Sequence, residues 1–226
     1  MDTDRLIQTL AETAQPVRRL PRPSARTAMW LAIAAPYVAL VVYVMSPRAD
    51  LAIKLTEARF LIEQVGALAT GIAAAIAAFA TTIPGYNRKV LLLPALPLAL
   101  WLGTLGQGCV SALIQFGLDG LSLQPDWICL PAIVLVGAIP AVTMAVMLRR
   151  GAPLSPHVST ALGALAAAGL GNFGLRFFHP QDASLMVLVW QFGTVFALTF
   201  LAGSAGRYLL SWNSIVGATR RRAAIS

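Results

Sequence analysis

Six long uncharged apolar runs dominate the sequence and predict six membrane-spanning helices. Each run has about 18–23 residues, close to the length that a helix needs to cross the hydrocarbon of a bilayer. Apolar positions occur on all sides of each run, which is typical of a helix embedded in lipid and not of an amphipathic surface helix. The predicted spans are residues 27–45, 64–83, 90–110, 127–148, 158–175 and 184–206.

The pattern therefore predicts an all-α membrane protein, a six-transmembrane-helix bundle with short cytoplasmic N- and C-terminal tails. The composition agrees, because 58% of the residues are hydrophobic and 12% are charged, whereas soluble domains carry about 25% charged residues. We divide the chain into an N-terminal tail (1–26), a transmembrane domain (27–210) and a basic C-terminal tail (211–226).

Small residues recur at helical spacing in two of the predicted spans. Helices in lipid associate through such residues, because a small side chain lets two backbones approach closely. We expect helix contacts in span two and span five at Gly66, Thr70, Ala74 and Ala78, and at Gly163, Ala167 and Gly171. An Ala-rich composition without a packing role is the alternative.

Basic residues collect on one side of the predicted spans. The N-tail, the loops after spans two and four, and the C-tail together hold 13 of the 17 Lys and Arg residues. Because cytoplasmic loops are enriched in these residues, we interpret the chain as a multi-pass protein of a bacterial inner membrane with both termini in the cytoplasm. The net charge of +8 then reflects topology, and we expect no direct contact with nucleic acid.

Charged residues are missing from the centres of the predicted spans. Buried ionisable residues usually mark a transport or proton pathway, and Glu63 lies only at the edge of span two. No nucleophile–base set, phosphate loop or zinc motif is present either. We therefore expect no enzyme activity and no cofactor. A small six-helix carrier or channel for an uncharged or metal-linked solute is the alternative function.

The two cysteines and one histidine are predicted at the outer face. Cys109 lies near the end of span three, Cys129 near the start of span four, and His179 in the loop before span six. The oxidising compartment outside the membrane allows a disulfide, while two buried apolar thiols are the alternative. His179 is a possible metal ligand with the cysteines, or belongs to a structural loop in which Asp182 caps span six and pairs with Arg176.

The N-terminal tail contains an amphipathic segment. Leu6, Leu10 and Val17 recur at helical spacing, and Pro16 with the basic pair Arg18 and Arg19 ends the segment before the membrane. Such a tail can lie on the lipid surface, bind a partner protein or serve only to set the topology.

Three stretches of the sequence resemble one known family. They are the tail segments 4–11 (DRLIQTLA) and 16–20 (PVRRL), the segment 92–101 (LLPALPLALW) with Gly108 and Cys109, and the segment 174–190 (GLRFFHPQDASLMVLVW). With these residues the chain resembles the NrsF-type membrane proteins, negative regulators of extracytoplasmic-function sigma factors in proteobacteria, over residues 1–212.

The resemblance implies a function that the composition does not. Members of this family hold a sigma factor at the membrane until a stress signal arrives, and they use paired cysteines in sensing. By this resemblance the protein is an anti-sigma factor whose partners are an extracytoplasmic-function sigma factor and the lipid bilayer. Its sensing residues would be Cys109 and Cys129, and its redox or heavy-metal signal would arrive at the periplasmic face. Its sigma-binding residues are expected in the tail, at Leu6, Leu10, Val17, Arg18 and Arg19.

Overall fold

The computed structural model of the protein describes residues 3–13, 20–117, 129–151, 153, 155–179 and 193–209, and every regular element in these ranges is helical. A 3-10 turn, Arg88–Leu92, precedes the fifth helix. The helices are α1 (Thr3–Thr13), α2 (Pro23–Val44), α3 (Leu51–Lys54), α4 (Ala58–Ala80), α5 (Ala95–Phe116), α6 (Cys129–Arg150), α7 (Pro156–Leu175) and α8 (Gly193–Leu209).

Within the described part of the chain, five segments are long and apolar enough to cross a membrane. They are Pro23–Val44, Ala58–Ala80, Arg88–Gln115, Pro131–Arg150 and Pro156–Leu175. These segments confirm an all-helical membrane protein and coincide with the first five predicted spans. The sixth span stays a prediction, because α8 covers only its second half and residues 184–192 lie outside the described part of the chain.

The helices differ from the predicted spans mainly at their first residues. α2 begins at Pro23, since a proline in the first turn of a helix loses no intrahelical hydrogen bond. α4 begins at Ala58, six residues before the predicted span, because Arg59 and Glu63 form an ion pair across one helical turn. Hydropathy detects the apolar part of a membrane span. It does not detect a first helical turn whose charged side chains pair with each other.

Four helices form the centre of the bundle. α4 packs against α2, α5 and α7, and α6 packs against α2 and α7, while α5 and α8 lie outside on α4 and α7 respectively. The central core is made of Trp30, Ala34, Val38, Val41, Ala74, Ala75, Ala78, Phe79, Val136, Met144, Leu148, Ala166 and Leu170. Large apolar side chains also cover the outside of the bundle, including Leu40, Tyr43, Leu96, Ile114, Phe196 and Phe200, as expected for a surface that faces lipid.

Small residues of α4 and α7 lie at close helix contacts, of which Gly66 was predicted from the sequence and Gly71 and Gly169 were not. A Cβ on Gly169 of α7 would lie 2.8 Å from both Ala67 O and Gly71 N of α4. A Cβ on Gly66 would lie 3.0 Å from Trp101 Cβ of α5. The two backbones are therefore so close that any residue larger than glycine would push them apart.

Successive long helices run in alternate directions, so the bundle has two distinct ends. The start of α2 meets the end of α4, where Arg26 donates to Thr82 Oγ1 at 2.7 Å. The segments that follow α2 and α7 meet at the other end, where Arg48 N–H donates to Phe177 O at 3.0 Å. We call the end at which α2 begins the tail end, because it joins the N-terminal tail, and the other the opposite end.

Candidate functional site

The N-terminal helix α1 carries a row of exposed apolar side chains. Leu6, Ile7 and Leu10 are 42%, 59% and 61% exposed to solvent. Asp4 lies in the first turn of α1, where a negative charge is favourable because it is near the positive end of the helix dipole. An 11-residue helix is only marginally stable in isolation, so an exposed apolar row on it is suited to a partner that buries the row.

The sequence-predicted tail residues are only partly within the described chain. Leu6 and Leu10 lie on α1 as expected, whereas Val17, Arg18 and Arg19 lie outside the described residues. The sequence reasoning missed Ile7, which follows Leu6 and precedes Leu10 by three positions. A search for spacings of three as well as four residues would have found it, and including it widens the apolar row.

A buried ion-pair cluster lies at the opposite end. Glu63 of α4 accepts from Arg59 Nε at 2.9 Å and from Arg176 Nη2 at 2.8 Å. The Glu63 side chain is only 5% exposed and that of Arg176 only 7%, while Arg59 reaches solvent. Two cations therefore surround one buried carboxylate, and the Glu63–Arg176 pair joins α4 to the end of α7.

Aromatic rings and a neutral hydrogen bond surround this Arg59–Glu63–Arg176 cluster. The Arg176 guanidinium lies 5.4 Å from the centre of the Phe60 ring. Phe60 contacts Phe177 edge-to-face at 6.5 Å between ring centres, and Gln64 Nε2 donates to Phe173 O at 3.2 Å. Because these groups exclude water from the ion pair, its electrostatic interaction is stronger than that of a surface pair.

The remaining residues predicted at the outer face lie near the same end. His179 is buried, and its backbone N–H donates to Leu175 O in the turn that ends α7. Arg176, for which the sequence predicted a pair with Asp182, forms an ion pair with Glu63. Asp182 lies outside the described residues.

The backbone also places both cysteines toward the opposite end. Cys109 lies about two turns of α5 beyond Trp101, the residue that packs on Gly66 near the start of α4. Cys129 is the first residue of α6, just before Ala132, which packs with Leu175. Their helices have different main neighbours, since α5 packs on α4 whereas α6 packs on α2 and α7.

A second buried charge lies at the tail end. Arg26 is 4% exposed. It donates from Nη1 to Thr82 Oγ1 at 2.7 Å and from Nη2 to Met147 O at 2.6 Å, and its guanidinium lies 4.4 Å from the centre of the Phe79 ring. Met147 O is one of the last four carbonyls of α6, which have no partner within the helix. Arg26 therefore contacts the ends of two helices, and both helix ends favour a cation through their dipoles.

We expect Glu63→Gln to destabilise the bundle strongly. The substitution keeps the shape of the side chain but leaves the buried Arg176 guanidinium without its carboxylate, which typically costs about 3–5 kcal/mol. The measurement is reversible unfolding in mixed micelles, and the expected result is a correspondingly lower free energy of unfolding. Glu57→Gln is the matched control, because the Lys54–Glu57 pair is exposed and its loss should cost less than about 1 kcal/mol. Equal losses in the two variants would contradict the prediction.

One comparison with known proteins finds a matching family. A family model described as NrsF, negative regulator of sigma F, matches residues 10–212 of the chain. The match begins within α1 and includes every described helix from α2 to α8. Neither a curated protein nor a solved structure matches the chain.

Proposed function

Because the chain belongs to the NrsF family, negative regulators of sigma F, we propose that its N-terminal tail holds an extracytoplasmic-function sigma factor at the membrane and that a stress signal releases it. The family match confirms the resemblance predicted from the sequence and makes a sigma factor the partner. The proposal adds the class of sigma factor, the binding segment and the way in which a signal acts.

The exposed apolar row of α1 carries the proposal for the tail. Leu6, Ile7 and Leu10 lie on a helix that is not part of the bundle core, and all three side chains are exposed. Fully burying a side chain of this size contributes about 1.5–3 kcal/mol. Because these three are already about half buried, a partner that covers them gains about half of that from each, a substantial part of the affinity of a micromolar complex, about 8 kcal/mol. We propose that Val17, Arg18 and Arg19 extend this binding segment toward the membrane.

The distribution of basic residues supports a cytoplasmic location for the tail. A sigma factor acts in the cytoplasm, so both the tail and the end of the bundle that joins it must face that side. The described basic residues at the tail end outnumber those at the opposite end, as the enrichment of Lys and Arg on cytoplasmic loops requires. Those at the tail end are Arg22, Arg26, Arg88, Lys89, Arg149, Arg150 and Arg207.

We propose that Cys109 and Cys129 receive the signal at the periplasmic face. Their position toward the end of the bundle opposite the tail supports this role. Oxidation of both thiols, or ligation of both to one soft metal ion, would draw together the ends of α5 and α6. Since these helices pack mainly on different neighbours, such a change would alter the packing around α4 and α7.

Replacing both cysteines by serine should abolish the response to stress. In cells that carry Cys109→Ser with Cys129→Ser, transcription from sigma-dependent promoters should stay low before and after exposure to cadmium ion or to a thiol oxidant. The measurement is a promoter–reporter assay with the wild-type protein as reference. An unchanged induction in the double variant would rule out the cysteines as sensors.

Deleting the gene tests the proposed function in the cell. Transcription from sigma-dependent promoters should rise without any stress, and the full chain supplied in trans should lower it again. A chain that lacks residues 1–23 should reach the membrane but fail to lower transcription. Repression by the truncated chain would move the binding site from the tail to the cytoplasmic loops, for example those at Arg88 or Arg149.

A further inference from the structure

Helix α4 contacts both buried charged sites. Its first two turns contain Glu63, and the residues at its other end, Phe79 and Thr82, contact Arg26. Glu63 and Thr82 are about 28 Å apart along the helix axis, at about 1.5 Å per residue. One rigid element therefore extends from the ion-pair cluster to the residue at which the N-terminal tail enters the bundle.

At the opposite end, the polar contacts of α4 are made with α7. The Glu63–Arg176 ion pair and the bond from Gln64 Nε2 to Phe173 O both cross this interface. Between them and the tail end, the two backbones are in close contact at Gly71 and Gly169. Because tightly packed helices do not deform continuously, a change at one end of this interface moves α4 as a unit.

At the tail end, α4 contacts the beginning of α2 and of α7. The Thr81 and Ser159 hydroxyl groups are 2.5 Å apart and link α4 to the first turn of α7. Arg26 N–H donates to Arg22 O at 3.0 Å in the first turn of α2. The side-chain contacts of Arg26 with Thr82 and Phe79 therefore fix the first turn of α2, which the tail directly precedes.

We propose that α4 couples the opposite end of the bundle to the N-terminal tail. Arg26 is the positioning residue, because its contacts with the end of α4 fix the first turn of α2, which the tail precedes. Loss of the Glu63–Arg176 pair allows α4 to shift against α7. Thr82 and Phe79 shift with α4, so the Arg26 guanidinium loses contacts and the first turn of α2 opens. The inference rests on the proposed function only for the identity of the partner that the tail binds. The coupling between the two ends is a property of the bundle itself.

The coupling has an energetic basis in the two states of the ion pair. With the pair formed, the Arg176 charge is balanced in a site that excludes water, and α4 is held against α7. With the pair broken, the buried charges are costly, and the bundle favours an arrangement in which they reach water. A signal that separates the ends of α4 and α7 interacts more favourably with the arrangement in which the pair is broken. A switch requires such a difference between its two states.

Hydrogen exchange on the full chain in lipid nanodiscs tests the coupling. Glu63→Gln should increase the exchange rate of the backbone amides of residues 26–29, in the first two turns of α2, by about tenfold. Arg26→Gln should increase the same rates directly. Glu57→Gln and Arg22→Gln are the matched controls, because these exposed side chains lie in the same two regions, and both should leave the rates unchanged.

A milder variant keeps the test decisive if Glu63→Gln does not fold. Gln64→Leu removes only the hydrogen bond to Phe173 O, and it should accelerate exchange of residues 26–29 several-fold without unfolding the bundle. Faster exchange confined to the opposite ends of α4 and α7, with residues 26–29 as in the wild-type protein, would overturn the proposal. That result would leave the ion pair with a local structural role.

Sigma-factor capture then separates this inference from the proposed function. The hydrogen exchange experiment contains no sigma factor, so its outcome does not depend on what the tail binds. If the tail is the binding segment, Arg26→Gln should capture about tenfold less sigma factor than Arg22→Gln, although both variants remove one positive charge. Equal capture by these two variants would overturn the positioning role of Arg26, whereas a wild-type chain that captures no sigma factor would refute the proposed function alone.

Discussion

We expect Leu6→Asp combined with Leu10→Asp to abolish sequestration of the sigma factor. Leu6 and Leu10 are 42% and 61% exposed on α1, so each gains about half of the roughly 1.5–3 kcal/mol of a full burial when a partner covers it. An aspartate at the same position loses that contribution and must be desolvated when the partner binds. Losing about 3 kcal/mol or more reduces the affinity at least about 100-fold. The expected result is full sigma-dependent transcription without stress, measured with a promoter reporter at equal membrane levels of the protein.

A charge-matched control separates the apolar row from the charge of the tail. Gln8→Asp with Arg5→Gln changes the net charge by the same two units on the other side of α1, where both side chains are also exposed. This variant should repress transcription like the wild-type protein. If both double variants release the sigma factor equally, net charge and not the apolar row determines binding.

We also expect a large effect from Gly169→Ala, because it acts on a close backbone contact between α4 and α7. The new Cβ would lie 2.8 Å from two backbone atoms of α4, Ala67 O and Gly71 N. Backbone atoms cannot move aside as a flexible side chain can, so α4 and α7 must separate along their interface. Overpacking of this kind typically costs about 1–3 kcal/mol, and we expect the upper end of this range or more. The measurement is the free energy of unfolding in mixed micelles.

A glycine on the peripheral helix provides the control. A Cβ on Gly103 of α5 would meet no atom within 4 Å. Gly103→Ala should therefore leave stability unchanged or raise it, since alanine favours a helix over glycine by about 1 kcal/mol. Equal destabilisation in the two variants would show that the close approach of α4 and α7 is not what makes Gly169 important.

Much of the fold could be predicted because hydropathy depends on local sequence alone. The first five predicted spans coincide with segments that are long and apolar enough to cross a membrane, and the glycine and alanine rows of α4 and α7 lie at helix contacts. The starts of α2 and α4 were less predictable. A proline in the first turn and a charged pair within one turn extend a helix without adding hydrophobicity.

The candidate sites were less predictable because they depend on contacts between distant parts of the chain. The sequence placed Glu63 only at the edge of a span, whereas the structure buries it beside an arginine 113 positions later. Arg26 was counted only as one of the basic residues of the tail, yet it contacts the ends of α4 and α6. No periodicity or spacing links residues on different helices, so these pairs required the fold.

An affinity pull-down from solubilised membranes tests whether the N-terminal tail binds a sigma factor. The full-length protein and a chain that lacks residues 1–23 are purified in parallel, and the captured proteins are identified by mass spectrometry. We predict that a sigma factor of the extracytoplasmic-function class co-purifies with the full-length protein and not with the truncated chain. Capture of a sigma factor by both proteins would contradict the assignment of the binding site to the tail, and the absence of any sigma factor from both would contradict the proposed function itself.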